Sequence, residues 1–202
     1  KLPRLVESGA RAVVSLGAED WDDYRSLLDA AARSPDVDAV ELNLSCPNVD
    51  RGGMSIGSDP SLVERYVRSA REALPRSAII AKLTPNVADI TVLARAAADG
   101  GAHAATAINT LVGMDLAGDG AEPVFRRVRA GLAGPAIFPV ALDAVWRIAK
   151  SGTLPVVASG GIASVRDARK FLAAGAVAVE VGTARFRDPG LPERIVDALE
   201  ND

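Results

Sequence analysis

The sequence predicts an α/β fold of the TIM (β/α)8 barrel family, with six of the eight βα units carried by this chain. Three observations point there. Short apolar, β-rich runs alternate with amphipathic helical runs from end to end. Glycine-rich turns, Gly160-Gly161 and Gly182-Thr183, follow the last two strands, where barrels commonly bind phosphate. Polar residues suited to a site fall at the C-terminal ends of successive strands. Six βα units in a row imply a parallel sheet with right-handed crossovers, which an open doubly wound sheet also satisfies. The glycines and the strand-end polar residues favour the barrel.

The strands are expected at residues 11–16, 39–44, 78–83, 104–108, 154–158 and 176–181. Each is brief and mostly apolar, as strands covered on both faces should be. Helical stretches follow. In the second, Asp59 can cap and Pro60 suits the first turn, where its missing N–H costs nothing. Leu62, Val63, Tyr66, Val67 and Ala70 then form one apolar stripe. In the fifth, Ser164 with Asp167 reads as a capping signal and Gly175 as a stop. The last helix sets Leu191, Ile195 and Leu199 four apart. Residues 111–139 lack strong periodicity, and a loop of that length is usually functional or disordered. The glycine-rich VDRGGMSIGS, residues 49–58, reads as a flap over a strand end. Six units are two short of closure, so the outer strands should present open edges, and about two βα units are expected upstream of Lys1.

The composition fits one domain over residues 1–202, large enough for a sizeable core. Only 4% of residues are aromatic against 49% apolar, which suits parallel strands under alanine-rich helices better than a β-sandwich. A formal charge of −3 gives no basic stripe for nucleic acid. No apolar run is long enough to span a bilayer, and no signal peptide opens the chain, so no membrane partner is expected. The single cysteine cannot form an internal disulfide, which points to a cytoplasmic setting.

That cysteine, Cys46, stands in ELNLSCPN at residues 41–48. A lone cysteine is by default a small buried hydrophobe. Here it lies just past a strand, in the turn where barrel sites are built, and Pro47 stops the strand. A thiol, with an ordinary pKa of about 8.5, accepts a proton near neutral pH far better than a serine does. Its neighbours Asn43 and Asn48 can each donate and accept hydrogen bonds, which suits a planar ligand with alternating C=O and N–H groups. Lys82 ends the next strand in IIAKLTPN. A snorkelling surface lysine is the ordinary alternative, but pointing into a barrel mouth it would hold electron density on a reduced cofactor. Asn109 and Thr110 end the following strand. The two glycine pairs let the backbone approach an anion closely, and together they favour a phosphate clamp over ordinary tight turns. No GxGxxG precedes an acidic residue, so a Rossmann dinucleotide site is not supported. His103, the only histidine, opens a strand and is expected to be structural. No metal site is expected without a second histidine or cysteine. Arg126, Arg127 and Arg129 read as a solvated face.

In order along the chain, ELNLSCPN, AKLTPNV, INTLVGM, GLAGPAIFPVAL, VVASGGI and VEVGTARFRDP resemble the motifs of class 1 dihydroorotate dehydrogenases, flavin enzymes of pyrimidine synthesis. DRGGMSIGSDP and GTARFRDP resemble the class 1B form, which passes electrons to an iron–sulfur FAD subunit and on to NAD. The resemblance implies an FMN-dependent oxidation of dihydroorotate to orotate in de novo pyrimidine biosynthesis. Cys46 would be the catalytic base, taking a proton from C5 while hydride leaves C6 for FMN. Asn43 would contact flavin and substrate, and Asn48, Asn109 and Thr110 would hold the pyrimidine. Lys82 would face the N1 and O2 edge of the flavin. Ile108 and Gly134 would line the FMN site, and Gly160, Gly161, Gly182 and Thr183 would grip its phosphate. A homodimer is left open. The family's first two strands, with their substrate-binding lysine, have no counterpart here, and a flavin-facing asparagine stands as Ser15. Two alternatives remain beside this reading: a dihydropyrimidine dehydrogenase-like flavin domain, which shares AKLTPNV, and a non-catalytic truncated remnant.

Overall fold

The computed structural model describes residues 7, 9–18, 20–34, 36–44, 56–118, 120 and 122–201. Its main element is a parallel sheet of six strands: β1 (Val13–Leu16), β2 (Ala39–Asn43), β3 (Ala78–Leu83), β4 (Ala104–Ala107), β9 (Val156–Ser159) and β10 (Ala178–Glu180). Each strand pairs with the preceding strand of this sheet, and the order never reverses. A doubly wound sheet must reverse at a switch point, so the winding is that of a barrel. The expected strands fall within two residues of the observed ones at nearly every boundary.

Helices α1 (Trp21–Ala32), α2 (Pro60–Ala73), α3 (Ile90–Asp99), α4 (Phe138–Ser151), α5 (Val165–Ala173), α6 (Ala184–Arg187) and α7 (Leu191–Glu200) follow the strands. Asp59 caps α2 through the backbone N–H groups of Ser61 and Leu62, with Pro60 in the first turn. Ser164 caps α5, and Asp167 accepts a hydrogen bond in return from the Ser164 hydroxyl. Gly175 follows the C-cap of α5 at φ +106°. Val63, Tyr66, Val67 and Ala70 are buried as the stripe requires, while Leu62 is half-buried.

The core lies between sheet and helices. Val40 and Leu42 of β2, and Ile79, Ala81 and Leu83 of β3, point outward under the helices and are buried. The alternate residues point the other way, so these strands are two-faced and not uniformly apolar as the sequence suggested. Every strand sends polar side chains inward: Ser15, Glu41 with Asn43, Lys82, Thr106, Ser159 and Glu180.

Those residues report the curvature. β2 and β10 stand four strands apart, about 19 Å if the sheet were flat. Yet both carboxyls reach one ammonium: Lys82 Nζ lies 3.3 Å from Glu41 Oε1 and 2.8 Å from Glu180 Oε2. Two glutamate side chains cannot bridge a flat sheet at that distance. The sheet is therefore curled, with its polar face inside.

Residues 111–139 are not an irregular loop. They form two short antiparallel ladders, β5 (Leu111–Gly113) with β8 (Ala130–Leu132) and β6 (Leu116–Ala117) with β7 (Glu122–Pro123), then a 3₁₀ turn at Pro135–Ile137. Three-residue strands carry too little pattern to announce themselves. His103 accepts a hydrogen bond at Nδ1 from the Ile79 backbone N–H, at the N-terminal end of β4. Arg126, Arg127 and Arg129 are exposed.

Phe171 of α5 is fully buried and meets Phe138 edge-on, with 5.1 Å between ring centroids. Truncation leaves a cavity that the neighbouring helices cannot fill. Phe171→Ala should lower the unfolding free energy by roughly 3–5 kcal/mol in urea denaturation.

Candidate active site

A cleft opens at the C-terminal rim of the sheet. Lys82 of β3 lines it with Ile108, Asn109 and Thr110, which follow β4. Gly134 enters from the turn before α4. Gly160 and Gly161 come from the loop after β9, and Gly182 and Thr183 from the loop after β10. Nine of the residues singled out by sequence thus converge from five separate segments. Asn43, at the end of β2, joins them through its side-chain oxygen, which accepts from Asn109 Nδ2 at 2.8 Å. Cys46, Asn48 and most of the 49–58 segment lie outside the described residues.

Asn109 is 8% exposed, and its Oδ1 also accepts from the Thr110 N–H at 2.8 Å. Thr110 lines the cleft, but its hydroxyl oxygen is buried against Gly131 and has no hydrogen-bond partner among the described residues. The segment is pinned by Asn86, which sequence reasoning did not single out. Its side-chain amide donates to the Thr110 carbonyl at 3.1 Å and accepts from the Val112 N–H at 2.9 Å. An amide side chain here replaces a strand neighbour, fixing the base of the β5–β8 ladder against the loop after β3. Nothing in AKLTPNV distinguishes this asparagine from a turn residue.

The glycines divide into two kinds. Gly160 and Gly161 have φ values of +131° and +77°, a region L side chains avoid. A Cβ on Gly161 would stand 2.7 Å from the Phe138 backbone, and one on Gly160 2.8 Å from Ala141. Their lack of a side chain is explained by the tight approach of this loop to the start of α4. Gly182 differs. Its φ needs no glycine, and a Cβ there would meet no atom of the described residues within 4 Å. Packing among the described residues does not require a glycine at 182, which lines the cleft.

Lys82 does not stand alone. Its ammonium lies 2.8 Å from Glu180 Oε2 and 3.3 Å from Glu41 Oε1. Glu41 is 6% exposed, accepts from Thr106 Oγ1 at 2.8 Å and from Ser15 Oγ at 3.3 Å. Burial pushes the Glu41 carboxyl above the ordinary range; Lys82 opposes the rise and Glu180 adds to it. Loss of hydration also pushes Glu180 up. The Lys82 charge, with hydrogen bonds from Lys82, Glu41 and Ser159, outweighs it and leaves that carboxyl below the ordinary range. The two carboxyls are thus driven apart, Glu41 upward by burial and Glu180 downward by the Lys82 charge. Both glutamates were missed in the sequence. The available signal was an acidic residue inside each of two apolar strands, AVELN and VAVEV, where a charge is almost never buried unpaired.

The arrangement offers a half-buried cation, two linked amides and a glycine-walled pocket along one cleft. This fits a ring with a polar edge and a phosphate tail. Lys82 and the amides match the edge, and the open space at Gly182 leaves room for the tail.

Comparisons with known proteins agree on one family. A family model described as dihydroorotate dehydrogenase matches residues 5–202. The catalytic subunits of dihydroorotate dehydrogenase B (NAD(+)) from Geobacter metallireducens and Geobacter sulfurreducens are each 42% identical over 200 residues, covering 99% of this chain. The chain spans 65% of the length of these curated relatives. Among solved structures, ligand-free DHODH from Eimeria tenella superposes with a TM-score of 0.77 at 23% identity, over 99% of this chain and 65% of that one. The same organism's DHODH in complex with ferulenol gives 0.73 at 24% identity, over 92% and 54%. At that identity the structural likeness speaks for the fold alone.

Two outcomes follow from the site's geometry. Gly161→Ala should cost roughly 2–5 kcal/mol of stability through backbone strain and overpacking, whereas Gly182→Ala should stay within about 0.5 kcal/mol of wild type; urea unfolding reads both. Glu41, with its pKa raised on folding, contributes most below the ordinary glutamate value of about 4.3 and loses that contribution as pH climbs toward its folded value. Glu41→Gln keeps the neutral form, so its stability relative to wild type should rise as pH climbs above that value of about 4.3. A flat difference across the series would place a carboxylate, not a carboxylic acid, at position 41.

Proposed function

The chain belongs to the dihydroorotate dehydrogenase family, and from that premise we propose that its cleft binds FMN and serves the oxidation of dihydroorotate to orotate. A flavin is general to the family. The observation that carries the reading is the convergence of Lys82, the Asn43–Asn109 amide pair and the glycine-walled pocket on one rim.

FMN, when bound, supplies the acceptor for the hydride that leaves C6 of the substrate. Cys46 takes the proton from C5. Its thiol suits the task because its ordinary pKa lies close to working pH, where a base is both available and strong enough. Asn43, Asn48, Asn109 and Thr110 bind the pyrimidine, whose alternating carbonyl and N–H groups match carboxamides. The Asn43–Asn109 hydrogen bond holds two of these side chains in one orientation before the substrate arrives, which lowers the entropic cost of ordering them. Lys82 places positive charge where the cofactor gains electrons. Ile108 and Gly134 line the cofactor site, and Gly160, Gly161, Gly182 and Thr183 surround the phosphate.

The relatives are named as catalytic subunits of an NAD(+) enzyme. We extend that reading to this chain: electrons leave through a separate iron–sulfur FAD subunit. No helix among the described residues is long and apolar enough to cross a membrane, in keeping with the cytoplasmic setting of the proposal.

Anaerobic mixing with dihydroorotate should bleach the flavin absorbance of the purified protein. Cys46→Ala should slow that bleaching by roughly 10²–10⁴-fold, the range of a lost general base. His103→Ala should leave it intact, since His103 sits at the opposite end of the sheet. Unchanged bleaching in the cysteine variant would remove Cys46 from its role. Competition between orotate and uracil for the oxidised protein separates a dihydroorotate site from a uracil-reducing one.

A further inference from the structure

One ammonium at the cleft wall is matched by two carboxyl groups. Glu180 reaches Lys82 from β10 and Glu41 reaches it from β2, so the three side chains close across the inside of the curl. The six strands of the sheet carry no other ionisable residue. The groups facing this cluster from the remaining strands are hydroxyls: Ser15 on β1, Thr106 on β4 and Ser159 on β9.

The two glutamates are placed differently. Glu41 is buried below the cleft and tied down by Thr106 and Ser15. Glu180 lines the cleft beside Lys82, and its side chain is 36% exposed. Any electron-rich edge that meets Lys82 therefore meets Glu180 as well. Stability is a weak reason for such a cluster, because a buried ion pair is often replaced by apolar residues at no loss. A carboxylate kept charged beside the one cation of the sheet has an electrostatic consequence for whatever binds there.

We propose that Glu180 is a positioning residue for Lys82, fixing the ammonium at the cleft wall and partly neutralising it, so that a bound flavin meets the field of a Lys82–Glu180 pair and not that of a lone lysine. The inference rests on the FMN reading of the cleft. It follows that the lysine stabilises added electrons less than its full charge would, and the flavin's potential is held lower. Glu41, tied down by Thr106 and Ser15, holds the ammonium from the side opposite Glu180.

The test measures the two-electron potential of FMN on the purified protein, with its affinity for oxidised and reduced FMN. Glu180→Gln keeps the shape and removes the charge. It should favour reduced over oxidised flavin at least tenfold, a potential higher by about 30 mV. Glu180→Ser, which removes charge and bulk together, should move it the same way, and covers the case in which the glutamine variant does not fold. Glu180→Asp should stay close to wild type, since it restores the carboxylate. Lys82→Met should move the potential in the opposite direction.

Flavin-free protein gives a second readout. Glu180, with its pKa lowered on folding, contributes stability above the ordinary value of about 4.3 that is lost as pH falls. Glu180→Gln should lack that acid-side decline. A wild type that binds FMN with a potential untouched by both Glu180→Gln and Glu180→Ser overturns the counter-ion role and leaves the flavin reading standing. A wild type that binds no FMN overturns both.

Discussion

The charge cluster inside the curl ties the molecule together. Lys82, Glu41 and Glu180 come from β3, β2 and β10, yet they share hydrogen bonds. They can do so only because the sheet bends until its second and last strands face one another. The same bend brings the loops after β4, β9 and β10 around one cleft. Curvature, charge pairing and the convergence of the site residues are thus one geometric fact. The helices outside bury the apolar face of the sheet and free the inner face for polar groups. That division permits a charge cluster in a chain whose strands looked mostly apolar.

Rigidity at the rim comes from backbone contacts more than from side-chain bulk. The Gly160-Gly161 loop lies so close to the first turn of α4 that no Cβ fits. Asn86 stitches the base of the β5–β8 ladder to the loop after β3 through two hydrogen bonds to main chain. A preformed cleft loses less entropy when it binds. Gly182 has neither constraint, and its bare backbone faces open space. Two glycine pairs that look alike in sequence therefore serve different ends.

Much of the fold was legible residue by residue. Asp59-Pro60 and Ser164 with Asp167 are local signals, and each capped a helix where expected. The strands were found because buried parallel strands are short apolar runs bounded by breakers. The β5–β8 ladders were not, because strands of two or three residues hold no readable period. Among site residues, Asn43, Lys82 and Asn109 were legible from their places at strand ends. Asn86, Glu41 and Glu180 were not, since each acts through a partner that is distant in the chain; Lys82 and Glu180 are 98 residues apart.

By itself, the sequence determined the order of strands and helices, the caps, the residue types available at each strand end and the family. These depend on neighbours within a few positions, or on motifs preserved as strings. Only the tertiary structure decided which glycine is packed and which is open, and which carboxylates attend Lys82. It also decided that burial drives the Glu41 carboxyl upward while Lys82 holds that of Glu180 down. Those outcomes turn on distances across a curled sheet and on the loss of water around buried groups, and neither is written in local spacing.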